Sequence, residues 1–129
     1  MNAFLVDLEN KPGELARVAE VIAAKGVNIT AVSGSTCGSS GRVALMASDD
    51  AATRLALGEA RCTFSELPVT VATLIHEPGA LAGACRRLAD AGVNIEALMP
   101  IGMQGSDVQV AFVTNEPARA MEVLAHAMA

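Results

Sequence analysis

Residues 11–31 read KPGELARVAEVIAAKGVNITA, and residues 77–97 read EPGALAGACRRLADAGVNIEA. The two stretches lie 66 positions apart and agree at ten of 21 positions. Shared alanines account for part of the agreement. Pro12-Gly13 against Pro78-Gly79, and Gly26-Val27-Asn28-Ile29 against Gly92-Val93-Asn94-Ile95, do not arise that way. The likeness continues downstream. Val43-Ala44-Leu45-Met46 matches Val110-Ala111-Phe112-Val113 at an offset of 67, so one residue is expected to have been gained in the second copy's turn. Asp49 to Leu57 then corresponds to Glu116 to Leu124. A period near 65 residues is too long for a solenoid repeat and reads as a duplicated small domain.

Within the first copy, Phe4, Val6 and Leu8 alternate with Leu5, Asp7 and Glu9, which predicts a strand over about 3–9. Asn10-Lys11-Pro12-Gly13 breaks it, and Pro12 suits the first turn of a helix. Leu15, Val18, Ala19 and Ile22 form one apolar stripe, and Gly26 is placed to end that helix in a left-handed cap. A second strand begins at Val27. Gly34 to Gly41 is expected as a flexible turn, residues 42–48 as a third strand. Asp49 or Asp50 can cap a helix through Gly58, and Arg61 to Leu67 reads as a fourth strand. In the second copy, Val69 to His76 is the first strand, and Leu81, Ala84, Cys85 and Leu88 line its helix. Residues 93–101 and 107–114 form a hairpin. Asn115 is expected to cap a last helix with Met121, Leu124, Ala125 and Met128 on one face. No fourth strand follows.

The predicted fold class is therefore α+β: two tandem ferredoxin-like βαββαβ units, spanning 1–67 and 68–129, with antiparallel sheets in strand order 4-1-3-2 and helices on one face. The second unit is expected to lack its last strand. An unfilled sheet edge invites pairing with another chain, so a homodimer or a strand contact between units is expected.

Composition narrows the function classes. Hydrophobic residues make up 52% of 129 residues, enough for a packed core, yet no run approaches the ~20 apolar residues of a membrane span. No leader is expected at Met1-Asn2-Ala3-Phe4, since no basic segment precedes an apolar one. Nine basic and 14 acidic residues give a net charge of −5, and only three aromatic residues occur, which disfavours nucleic acid as a partner. Cys37, Cys62 and Cys85 are odd in number and widely spaced, as reduced thiols of a cytoplasmic protein would be. Neither a metal-ligand spacing nor a Gly-x-Ser-x-Gly or His-Glu-x-x-His motif is present, and no nucleophile–base pattern recurs in both copies. The Gly34–Gly41 segment has no lysine and no phosphate-loop spacing. These readings favour a non-enzyme without a cofactor.

The run Glu9-Asn10-Lys11-Pro12-Gly13-x-Leu15, with Gly26-Val27-Asn28-Ile29 a helix later, resembles the ACT domain, and both copies carry it over nearly the whole chain. The resemblance implies a non-catalytic regulatory module that binds an amino acid where two units meet, as on 3-phosphoglycerate dehydrogenase and aspartokinase. Carried over by residue, it implies ligand contacts at Asn10, Pro12, Gly13 and Asn28 in the first copy. In the second it implies His76, Pro78, Gly79 and Asn94. Some serine-binding members carry a histidine two positions before the loop asparagine; here those positions are Leu8 and Leu74.

The chemistry runs the same way. A helix N-terminus offers N–H donors and a favourable dipole to a carboxylate, and glycine lets a ligand approach the backbone. Asparagine oxygens accept from an ammonium without burying a full charge. Specificity is expected from Val32, Ser33, Leu98 or Met99, and the methionines as gap fillers. Plainer roles compete: Pro-Gly also starts ordinary helices, asparagine follows glycine in ordinary turns, and His76 and His126 are also readable as surface residues. The alternative function is a trans-acting regulatory or scaffolding subunit that docks on a client enzyme without binding a metabolite.

Overall fold

The computed structural model describes residues 1–127 and divides into two compact units, Met1–Leu67 and Pro68 onward. The first unit contains β1 (Asn2–Glu9), α1 (Glu14–Ala23), β2 (Ile29–Cys37), β3 (Ser40–Ala47), α2 (Asp50–Glu59) and β4 (Phe64–Pro68). The second contains β5 (Thr70–Leu74), α3 (Ala80–Asp90), β6 (Ile95–Gln104), β7 (Asp107–Thr114) and α4 (Pro117–Ala127).

In the first unit the strands lie in the order β2-β3-β1-β4, which is the expected 4-1-3-2. β1 and β2 both pair antiparallel with β3, and the registers Phe4↔Leu45 and Val6↔Val43 put these four side chains on one face. That face packs against Val18 and Ile22 of α1 and Ala56 and Leu57 of α2. Asp49 caps α2, its carboxylate accepting from the Ala52 N–H at 3.0 Å.

The second unit repeats this with three strands, β5-β7-β6, and no fourth among the described residues. Its core joins Ala72, Val110 and Phe112 of the sheet to Ala84 and Leu88 of α3 and Ala120 and Leu124 of α4. The aromatic ring has changed strands: Phe4 opposite Leu45 becomes Thr70 opposite Phe112. The exchange moves bulk from one member of a cross-strand pair to the other, the kind of volume-conserving change a core tolerates.

The backbones of the two halves agree closely. Gly13 and Gly79 precede their helices with φ of 91° and 92°, and Gly26 and Gly92 follow them with φ of 74° and 75°. Ser48 receives the Asn28 N–H on its hydroxyl and returns its own N–H to the Asn28 carbonyl, at 3.0 and 2.9 Å. Asn115 repeats both bonds with Asn94, at 2.9 and 3.2 Å. This corrects the expected role of Asn115. Its side chain is spent on Asn94, and α4 instead opens with Pro117 at the first helical position, where a missing N–H costs nothing.

Other boundaries also differ from expectation. Pro12 lies outside α1, because the positive φ of Gly13 delays helical geometry until Glu14. Residues 34–37 and 40–41 are strand rather than flexible turn, paired through Cys37↔Ser40, so only Gly38 and Ser39 turn the chain. Gly105 and Ser106 do the same in the second unit, with φ of 62° at Gly38 and 63° at Gly105. The residue gained by the second copy is therefore not in the turn. It is Ile101, at a bulge in β6 between Pro100 and Gly102, where proline has no N–H for the ladder. β4 starts at Phe64, since Arg61 takes φ of 59° at the end of α2. β5 stops at Leu74 rather than His76. On α4, Ala120 and Leu124 are buried while Met121 and Ala125 face solvent; Met128 and the His126 side chain lie outside what is described.

Candidate functional site

At the hairpin end of the first unit, the tip of α1 stands over the sheet and leaves a groove of about 490 Å³. This lies within the roughly 300–1,000 Å³ typical of small-molecule sites. Its floor is Leu8 of β1 and Val43 of β3, its near wall is Glu14 and Leu15 of α1 with the loop Glu9–Lys11, and its far wall is β2 from Val32 to Thr36. The Arg42 backbone carbonyl borders it beside Gly34.

The loop owes its position to Asn10. The Asn10 backbone N–H donates to the Ser39 carbonyl and its side-chain amide donates to the Gly38 carbonyl, both at 2.9 Å. The loop is thereby tied to the β2–β3 turn. Gly13 then supplies the left-handed torsion that points α1 at the groove, and no side chain caps the helix start. The first-turn N–H groups of α1 thus keep their donor capacity at the groove wall.

Both signs of charge meet there. Lys11 pairs with Glu9 at 2.9 Å and Glu14 with Arg17 at 3.2 Å, while Arg42 pairs with Asp7 at 3.7 Å on the opposite face of the sheet. The hydrogen bond from Arg17, aided by the Glu9 N–H, holds the Glu14 carboxyl below the usual carboxylate range. The hydrogen bond to Glu9, with the charges of Glu9 and Glu14, raises the Lys11 ammonium. Apolar surface lies beside these charges: Leu15 and Val32 are 51% and 52% exposed. Leu15 is therefore not part of the buried stripe of α1, which runs through Val18 and Ile22; it sits on the first turn, at the groove.

The expected site residues divide. Asn10 lines the groove, and Pro12 and Gly13 form the exposed turn that delivers α1 to it. Val32 and Ser33 line it as well. Asn28 does not: it precedes Ile29, which pairs with Ala47, while the groove lies near the Glu9↔Ser40 end of the same sheet. The first groove residue on β2, Val32, is four residues further along the chain, roughly 13 Å from Asn28. In the second unit His76, Pro78, Gly79 and Asn94 are all exposed, Leu98 is partly exposed and Met99 is buried. The Asn94 side-chain amide is oriented toward Glu96 at 3.4 Å. Sequence reasoning missed Glu9, Lys11, Glu14, Gly34, Thr36 and Arg42. The signal available for them was their gathering at one end of a predicted hairpin, which a misplaced turn at 34–41 concealed. The three cysteines are free thiols, and no group of three or more metal-ligating side chains occurs among the described residues.

No protein-family model matches the sequence, and no curated protein does. Solved structures do. A protein from Bacteroides thetaiotaomicron superposes with a TM-score of 0.80 at 26% identity, over 97% of this chain and 86% of that one. The regulatory subunit of aspartate kinase from Thermus thermophilus, in its ligand-free form, gives 0.64 at 17% identity, over 99% and 91%. The aspartate kinase of Clostridium acetobutylicum gives 0.64 at 15%, over 99% of this chain and 33% of that longer one. What these comparisons share with the chain is its tandem βαββαβ fold, in which the second unit of this chain is one strand short among the described residues.

Proposed function

We propose that this chain, a tandem pair of ACT-type units, is a non-catalytic regulatory protein that binds a free amino acid in the groove of its first unit. The observation that carries the reading is the groove itself: an uncapped helix start, both signs of charge and exposed aliphatic side chains gathered within about 490 Å³. An amino acid is a zwitterion with a variable third substituent. Its carboxylate is served by the first-turn N–H groups of α1 and by the Lys11 ammonium, its ammonium by the Asn10 amide oxygen and the Glu9 carboxylate. Leu15, Val32 and Val43 offer the third substituent an apolar surface.

Asn28 and Asn94 enter this reading as groups offered by a neighbouring copy, since each lies at the far end of its own sheet. A homodimer is part of the proposal. Among the described residues β5 is an edge strand with no fourth strand paired to it, the kind of edge that takes a strand from a second copy. Among the described residues no helix is long and apolar enough to cross a membrane.

The test is thermal denaturation of the full chain with each of the twenty amino acids in turn. A ligand at about 100 times its Kd adds about 2.7 kcal/mol to stability. A melting temperature that moves with none of the twenty removes the reading.

A second reading has its own support. Ile75, Leu81, Leu98 and Met103 are large apolar residues exposed on the second unit, and the aspartate kinase regulatory subunit shares the fold. Both suit a subunit that docks on a client enzyme. A stoichiometric enzyme partner recovered with the chain, with no amino-acid response, would favour it.

A further inference from the structure

We infer that the chain holds one ligand site rather than two, and that Gly34 is the residue that makes it. The inference rests on the binding reading above and adds to it which unit binds, and why.

The two units share a backbone, but the residues that line the groove of the first are changed in the second. On β2, Gly34 pairs with Val43, whose side chain belongs to the helix-facing core, so Gly34 shares that face. A Cβ built on Gly34 would stand 3.6 Å from the Val43 side chain and 3.4 Å from the Arg42 carbonyl. These are contact distances, so any larger side chain fills the space over the groove floor. In the second unit Pro100 pairs with Val110, the counterpart of Val43, and puts a ring at that place. Thr36, opposite Gly41, is replaced by Met103 opposite Val108. Three of the changes on the far wall thus add volume: glycine to proline, threonine to methionine, and Val32 to Leu98.

The charges go with the space. At an offset of 66, Glu9 becomes Ile75, Lys11 becomes Glu77 and Glu14 becomes Ala80. A zwitterion placed there would keep the helix N–H groups for its carboxylate, but it would meet Glu77 in place of Lys11 and lose the Glu9 partner of its ammonium, and unpaired desolvation of that charge is costly. The loop tie is gone as well. Asn10 becomes His76, and neither Asn10 bond to the turn has a counterpart among the described residues.

The experiment uses the full chain labelled with nitrogen-15 and an equimolar mixture of the twenty amino acids, followed by calorimetric titration of the component that binds. The expected result is amide shifts centred on residues 9–15 and 32–43, one ligand per chain, and an affinity lowered about tenfold or more by Gly34→Val. Lys11→Glu, an exposed change that copies the second unit, is expected to weaken binding in the same direction. Met103→Thr, its mirror on the second unit, is expected to leave affinity unchanged. Two equivalents per chain, shifts centred on residues 75–81 and 98–109, or full affinity in both first-unit variants overturns the inference while leaving the amino-acid reading intact. No shift anywhere with the whole mixture overturns both.

Discussion

Arg61 is the one described residue other than glycine with a positive φ, at 59°. It stands just past α2, where its N–H donates to the Gly58 carbonyl and the Cys62 N–H to the Leu57 carbonyl, each at 3.0 Å. The matching left-handed positions after α1 and α3 are Gly26 and Gly92. A side chain in this conformation costs about 1–2 kcal/mol because Cβ crowds the following carbonyl oxygen. Arg61→Gly removes that cost and leaves both backbone bonds in place. Glycine's freer unfolded chain takes back about 0.5–1 kcal/mol. The net expectation is a gain of about 0.5–1 kcal/mol. The reverse change tests the same reasoning: Gly26→Ala meets no atom within 4 Å of its new Cβ, so its cost is torsional and about 1 kcal/mol. With no tryptophan or tyrosine in the chain, the assay is urea unfolding followed by far-ultraviolet circular dichroism. At unchanged slope, the midpoint rises for Arg61→Gly and falls for Gly26→Ala. A lower midpoint for Arg61→Gly, or an unmoved one for Gly26→Ala, refutes the argument.

Two further outcomes follow from packing and charge. Leu88 is fully buried between α3 and the second sheet, so Leu88→Ala is expected to destabilise by about 2–5 kcal/mol, whereas Met121→Ala, on an exposed side chain, stays within about 0.5 kcal/mol; denaturant midpoints separate the two. Glu66 joins β4 to α2 and β1 by accepting from Arg54 and, at 2.7 Å, from Asn2, and the Arg54 hydrogen bond holds its carboxyl below the ordinary 4.5. A depressed carboxyl stabilises fully above its unfolded value and loses that contribution as pH falls through its lower folded value. The melting-temperature gap between the native chain and Glu66→Gln is therefore expected to be constant above about pH 4.5 and to shrink on further acidification, modestly because Arg54 is half exposed.

Much of the fold was legible because its determinants are local. Gly13, Gly26 and their repeats mark torsions that other residues resist, and the alternation Phe4, Val6, Leu8 names the buried face of β1 directly. The errors arose where two local signals competed. Glycine and serine from 34 to 41 carry turn propensity, but ladder pairing of residues 34–37 with 40–43 holds most of them in strand. Asn115 looks like a helix cap by its position, yet its oxygen serves the Asn94 amide across the sheet end. The site was legible only in part. Asn10 stood out by its motif. Gly34 and Thr36 carry no motif, and their place at the groove depends on a register that a one-residue misreading of the turn displaces.

The groove lies where strand rules are broken, and they are broken differently in the two units. Glycine is a poor strand residue, since it has no side chain to pack and loses the most freedom on ordering. Gly34 nevertheless stands in the middle of β2, with negative φ and no turn to require it. Proline is a poor strand residue for another reason, the missing donor, and Pro100 stands at the equivalent place in β6 with a bulge beside it. Packing accounts for Pro100: it covers the floor residue Val110, and with the bulge it makes β6 a poor edge for further pairing. Packing does not account for Gly34, because Val43 would accept a side chain at contact distance and the sheet would gain from one. A local rule broken without a structural return is where function is expected to lie. By that criterion the empty position over Val43 is the feature of the first unit that the proposed ligand site would account for and folding does not.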